Sequence, residues 1–496
     1  MKKKVTLLNV ISSLLLQFVS FISYFIIPKI ILSYFGSSVN GLVSSLNQFL
    51  NFITLVEGGV TGVIIANLYK PLIEKNFEKI SSILATANKF YRKIGLIFIA
   101  YSIILGLVYK FIFNVQFNLF YIFTLTMILS INFFVQYLFA VTNKALLTAD
   151  KKMYIINFSQ IVMIILNIIF SIISIKIYPS IHLLKFISGL LYILQPVVFG
   201  IYIKKNYNIT KKVKIDNSLI KQRWDSFSIN VAAFIHSSTD IVILTIFTNM
   251  ITVSIYSVYS LVTNGIKQII TSISSAIVPV VGQSYAKKDD KDFIIKFNVY
   301  EYIIFFITFF IFSIALLLIT PFVQLYTANI SDANYYQPIF GVLIIVSEML
   351  YIIKFPHLNL AYSANKFKEI TKAAYIEAFL NAIISIILVS EFGLLGVTIG
   401  TIVAMTYRMV FQVKFTNKLV PQLKTKYFYK KMFIFTLGSF IAIIISRTLF
   451  GLSNVTLLKW IIYGIIYCLV FIFIYIIISI KFFKEELNYL KNYLKK

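Results

Sequence analysis

From Trp460 to Ile480, and again from Val5 to Ile27, the chain carries no charged side chain. A helix of about 20 such residues crosses roughly 30 Å of hydrocarbon. Lipid offers no partner for a backbone N–H or C=O, so runs of this kind cross as helices that satisfy those groups internally. They recur along the whole sequence, and hydropathy predicts fourteen spans: about 5–33, 41–69, 94–113, 119–143, 154–176, 182–203, 226–248, 251–284, 298–320, 338–354, 371–390, 395–413, 432–450 and 460–480. With 59% hydrophobic residues and a mean hydropathy of +0.87 over 496 residues, the chain has more apolar surface than a water-soluble core can hide. The expected fold class is all-α integral membrane.

The formal charge of +28 would suggest nucleic acid in a soluble protein. Here most lysines and arginines sit in short segments between spans: 70–93, 204–225, 285–297, 414–431 and the tail. No soluble basic domain exists to bind nucleic acid, so none is expected as a partner. Positive charge stays on the cytoplasmic side, and its alternation from loop to loop predicts both termini inside. Met1-Lys2-Lys3-Lys4 before an apolar run resembles a signal peptide. The run is about twice the usual 7–15 residues and lacks a small-x-small cleavage site, which predicts an uncleaved first helix. No outer loop is longer than the one from about Thr320 to Gln337, leaving little room for the outer domain of a membrane polymerase or glycosyltransferase. Cys468, the single cysteine, excludes an intrachain disulfide and any multi-cysteine metal motif.

The sequence also repeats itself at an offset near 214 residues. Leu166-Asn167-Ile168-Ile169-Phe170-Ser171-Ile172-Ile173 matches Leu380-Asn381-Ala382-Ile383-Ile384-Ser385-Ile386-Ile387 at six of eight positions. Ala149-Asp150-Lys151 parallels Ala364-Asn365-Lys366, and Tyr69-Lys70 parallels Tyr285-Ala286-Lys287. Six helices per repeat give both copies the same orientation. That predicts two parallel six-helix lobes about a pseudo-twofold along the membrane normal, with a central cavity between them. The expected divisions are 1–203, a basic linker 204–225, 226–413, and helices thirteen and fourteen with the tail, 414–496.

No GxxxxGK[ST] loop, nucleophilic triad or metal motif is present, and no cofactor is expected. Asp289-Asp290, among lysines, reads as a solvated charge cluster. Ionisable groups inside spans are more informative, because each costs roughly 2.5–3.5 kcal/mol at the bilayer centre unless it faces water or a partner. Glu57 (beside Gly58-Gly59), Asp240 (four residues after His236), Lys267, Glu348, Glu377 and Lys29 are the candidates. Each has a plain structural alternative. Lys29, Lys354 and Arg408 lie near span ends and are placed to snorkel. Glu57 would pair helices beside a glycine kink, and Asp240 with Lys267 would form a buried pair. Lys267, a mid-membrane cation, is the leading substrate contact. Asn167 and Asn381, equivalent under the repeat, are expected to bond between helices.

Local stretches agree with this architecture. Pro28-Lys29, then Tyr34-Phe35-Gly36 and Asn40-Gly41, form a basic first-helix ending before a glycine turn. Ser254-Ile255-Tyr256-Ser257-Val258-Tyr259, followed by Pro279 and Gly282, and Asp240 in span seven, match as well. On these features the chain resembles, over essentially its whole length, the Wzx-type polysaccharide flippases of the multidrug/oligosaccharidyl-lipid/polysaccharide exporter superfamily.

The resemblance implies an undecaprenyl-pyrophosphate-linked oligosaccharide as substrate, moved across a bacterial cytoplasmic membrane for cell-surface polysaccharide biosynthesis. Lys29 and Lys267 then contact pyrophosphate or sugar, helices thirteen and fourteen receive the prenyl tail, and glycosyltransferases and a polysaccharide polymerase are pathway partners. A proton or sodium counter-ion is expected to act through Glu57, Asp240 or Glu377, with Glu348 a further cavity candidate. Lipid-II flippases of the superfamily carry an arginine cluster in their first spans, whereas this chain has only Arg92, Arg223, Arg408 and Arg447. That departure argues against lipid II as substrate. Cation antiporters of the same superfamily, generally twelve-helix with acidic sites, are the alternative.

Overall fold

Several apolar runs are only the inner parts of longer helices. The computed structural model describes residues 2–57, 59–113, 115–210, 213, 215–216, 234, 238–287, 290–449 and 456–494. Among them, twelve helices are long and apolar enough to cross a membrane, and Val60–Ile73 and Ser238–Phe247 are shorter apolar helices. The chain is thus an all-α, multi-pass membrane protein. Most of the linker 204–225, His236 and Asp289 lie outside the described residues.

The chain divides into two compact units, Met1–Ser254 and Ile255–Lys496. In the first, α1 (Lys2–Leu50) joins span one to the start of span two. The turn between them reduces to Gly36, whose φ of 79° lies where a residue with a Cβ is strained. Span two is broken into the end of α1, α2 (Ile53–Glu57) and α3 (Val60–Ile73), with Gly59 left-handed at the second break, where the glycine kink is expected. Span three begins well before residue 94, since α4 runs Phe77–Phe113. Its lysines depress local hydropathy, yet Ile80, Ile83, Leu84, Ala87, Tyr91 and Ile94 keep a helical apolar stripe and are buried.

Span four is α5 (Leu119–Val135), a π turn (Gln136–Ala140) and α6 (Val141–Ala149). Then come α7 (Met153–Ile177), α8 (Ile181–Leu191), α9 (Leu194–Asn206) and α10 (Ser238–Phe247). Small polar contacts stitch these helices. Ser45 bonds Tyr109 at 2.6 Å and Thr245 at 2.7 Å, and Gln48 donates to Ser238 at 2.5 Å. Asn167 accepts from Ser188 at 2.7 Å, joining α7 to α8 as expected.

The second unit holds most of α11 (Met250–Ala286), then α12 (Asp290–Tyr326). Span ten is longer than expected: Pro356 has no N–H, so the helix breaks at Lys354 into α13 (Pro338–Ile353) and α14 (Phe355–Ser363) rather than ending. After these come α15 (Phe367–Phe392), α16 (Leu394–Leu419), α17 (Thr425–Leu449), α18 (Leu457–Phe482) and α19 (Lys484–Leu494).

Helices α15 and α16 pack closely because Gly396 and Gly400, a GxxxG pair, let their backbones approach. A Cβ on Gly400 would collide with Ser385. Asn381 donates to Thr401 at 3.3 Å, again between helices, and within α15 it accepts from Ser385 at 2.9 Å. Helices α17 and α18 pack on α12 through Phe305, Phe309, Phe435, Phe471 and Tyr475, while Leu469, Phe473, Ile476, Ile477 and Ile480 stay exposed. In a bilayer those side chains meet acyl chains, which explains an apolar exterior that water would penalise.

Candidate functional site

The break at Lys354 sets the geometry of the main polar site in the second unit. It places Glu348, Tyr351 and Lys354 of α13 and its end beside α11, α15 and α16. Lys267 Nζ, mid-way along α11, lies 2.9 Å from Glu348 Oε1 and 5.3 Å from the Tyr351 ring. Lys354 Nζ lies 4.6 Å from the same ring and 3.7 Å from Glu377 Oε2. Arg408 Nε is 3.5 Å from that oxygen, and an Arg408 guanidinium N–H donates to the Ile370 carbonyl at 2.8 Å. Three cations and two carboxylates therefore alternate along one ladder, with an aromatic ring shared by two ammonium groups.

Counted as ionised, the ladder has a formal charge of +1. Lys354, Glu377 and Arg408 side chains are 3%, 9% and 4% exposed, whereas Lys267 and Glu348 are 24% and 16% exposed. The ladder thus runs from a deeply buried end to a more accessible one. At that accessible end, Glu348 Oε2 is buried with no hydrogen-bond partner among the described residues.

Lys354 and Arg408 do not snorkel. Their helices continue past them, and burying both beside Glu377 is less costly than exposing a carboxylate to lipid. Lys267 finds its carboxylate in Glu348, two helices on in sequence.

In the first unit Glu57 ends α2. Its carboxylate accepts hydrogen bonds from Thr61 and, at 3.2 Å, from the Tyr137 hydroxyl of the π turn. Thr61 also bonds Tyr91 at 2.6 Å. The glycine break and the π turn together aim a carboxylate and two phenols at one point, a use such turns commonly have. Lys29 is half-buried on α1 after Pro28, and Asp240 is buried on α10 at 8% exposure.

One cluster escaped the sequence reading. Glu301 of α12 accepts from Lys431 of α17 at 2.6 Å and contacts His357 of α14 at 2.8 Å, and Lys431 also reaches Glu486 of α19 at 3.9 Å. Its faint signal is a carboxylate standing just after the basic stretch 285–297, where hydropathy places it at the end of a span. Among the described residues no group of three side chains could hold a metal ion.

The fold is similar to those of several solved polytopic transporters. A solved structure titled "Lipid II flippase MurJ, inward closed conformation" is similar over 97% of this chain and 99% of its own, with a TM-score of 0.75 and 17% identity. An inward-facing multidrug resistance MATE family transporter of the MOP superfamily is similar over 81% of this chain and 94% of its own, at a TM-score of 0.65 and 14% identity. For the MATE multidrug transporter DinF-BH the shares are 84% and 96%, the TM-score 0.61 and the identity 16%. No protein-family model and no curated protein sequence matches the chain.

Proposed function

We propose that the protein is a flippase carrying an undecaprenyl-pyrophosphate-linked oligosaccharide from the inner to the outer leaflet by alternating access. The observation that carries this reading is the net-cationic ladder of Lys267, Glu348, Lys354, Glu377 and Arg408. A pyrophosphate cannot cross hydrocarbon unaided, and a basic site at membrane depth lowers that barrier.

Coverage supports the reading as well. The likeness to the lipid II flippase takes in 97% of the chain, against 81% for the first of the two MATE transporters. In this reading α17 and α18 serve the prenyl tail, both termini are cytoplasmic, and the chain divides functionally at 203, 225 and 413. Lys29 and Lys267 are assigned to pyrophosphate or sugar. Glu57, Asp240, Glu348 and Glu377 are assigned to the cavity and to coupling with a proton or sodium gradient.

Cells lacking the protein should accumulate complete lipid-linked repeat units and lose surface polymer. Normal surface glycan without accumulation would overturn the assignment and favour a cation antiporter. Transport that persists after both ion gradients are collapsed would remove the coupling role.

A further inference from the structure

A cavity of about 520 Å³ opens where α12, α17, α18 and α19 meet, apart from the ladder. Lys430 and Lys431 line it from the second turn of α17, Lys481 from the last turn of α18, and Lys484, Glu485 and Glu486 from the start of α19. Lys431 is committed to Glu301 at 2.6 Å and to Glu486 at 3.9 Å. Lys430, Lys481 and Lys484 are exposed and have no ion-pair partner among the described residues. Against them stands one further carboxylate, Glu485, so an excess of two positive charges faces the opening. Asn298 and Tyr427 add neutral polar groups at its wall.

Depth and surroundings select the ligand. Span α18 ends at Phe482, so Lys481 and the first turn of α19 lie where hydrocarbon gives way to headgroups. Helix α19 is held there by Leu487 and Leu490, which pack against the core of this unit and fix Lys484 beside Lys481. Directly along the membrane from the lysines run the exposed faces of α18 (Ile480, Ile477, Phe473) and α17 (Phe433, Leu437, Phe440). A soluble anion would satisfy only the lysines. A ligand with a phosphate and acyl chains satisfies both surfaces.

We propose that this pocket binds the headgroup phosphate of an anionic bilayer phospholipid, with its acyl chains along α17 and α18. Lys430, Lys481 and Lys484 supply the charge, in the manner of basic pockets between membrane helices. The phosphate pocket rests on the membrane placement of α18 and the lysines beside it, whereas the flippase reading rests on the ladder; the two share only the apolar surface of α17 and α18, so failure of either leaves the other standing.

The test uses the full chain in detergent with phosphatidylglycerol or phosphatidylcholine added, and native mass spectrometry to count retained lipid. Wild type should retain phosphatidylglycerol preferentially. Lys430→Ala/Lys481→Ala/Lys484→Ala should weaken that retention about fivefold per lysine, equivalent to ~1 kcal/mol each. The triple Lys→Arg variant should retain it and control for folding. Unchanged retention in the alanine variant would overturn the proposal. So would displacement of phosphatidylglycerol by millimolar inorganic phosphate, which marks a soluble-anion site, or a preference for undecaprenyl phosphate, which marks a substrate site.

Discussion

Replacing Glu377 with glutamine removes one charge and leaves two buried cations, Lys354 and Arg408, with no carboxylate between them. At 3.5 Å and an effective dielectric constant of about 20, Arg408 and Glu377 attract by about 5 kcal/mol. The 3.7 Å contact with Lys354 contributes a similar amount. The net loss is smaller than that sum, because water and side-chain movement relax around the orphaned cations. Breaking a buried pair on one side typically costs roughly 3–5 kcal/mol, the magnitude expected for Glu377→Gln. Equilibrium unfolding in mixed detergent micelles measures it. Adding Arg408→Gln removes one orphan, so the double variant should recover at least about 1 kcal/mol relative to Glu377→Gln alone. A loss below about 1 kcal/mol, the value of a solvent-exposed pair, would refute the buried ladder, as would strictly additive single and double variants.

Gly400→Ala forces a methyl into Ser385 and should cost about 1–3 kcal/mol of stability, whereas Gly62→Ala, which meets open space, should be nearly neutral; equal thermal stability for the two would contradict the close α15–α16 packing. Lys267→Ala should abolish surface polymer while the protein still reaches the membrane, and normal polymer in that variant would remove Lys267 from the substrate path. On the polar edge of the first unit, burial and the hydrogen bond to Asp150 push the Tyr207 hydroxyl above its ordinary range. A raised folded-state pKa stabilises fully below the unfolded tyrosine value of about 10 and is lost as pH rises above it. Unfolding measured across that alkaline window should therefore show a decline that Tyr207→Phe flattens, and an identical decline in the variant would exclude Tyr207 as its source.

Hydropathy made the helical class and most spans legible, because lipid imposes one solution on uncharged runs. It misplaced ends where a helix leaves lipid without ending. Lysines between Phe77 and Lys93 mask the α4 stripe that buries Ile80, Leu84 and Tyr91. Mid-span ionisable residues were equally legible: Lys267, Glu348 and Glu377 all stand in the ladder. Partnerships were not. Whether Lys267 meets Glu348 depends on the facing of α11 and α13, which no single-helix pattern encodes. Lys354 and Arg408 stand near span ends in the sequence, but position along a span does not give depth where the α13–α14 helix is broken. Glu301 and His357 were missed for the same reason, being joined only by tertiary packing of α12 against α14.

The ladder also constrains the order in which the protein is made. Its five charges enter the membrane on separate segments: Lys267 first, then Glu348 and Lys354, then Glu377, then Arg408. Each newly inserted segment carries a charge that lipid disfavours by roughly 2.5–3.5 kcal/mol at the bilayer centre. Lys267 must wait for α13, and Lys354 for α15, before a neutralising neighbour exists. Nascent helices of this half should therefore favour the translocation channel or one another over lipid until α15 and α16 arrive, and truncation before Glu377 should leave Lys354 without its carboxylate.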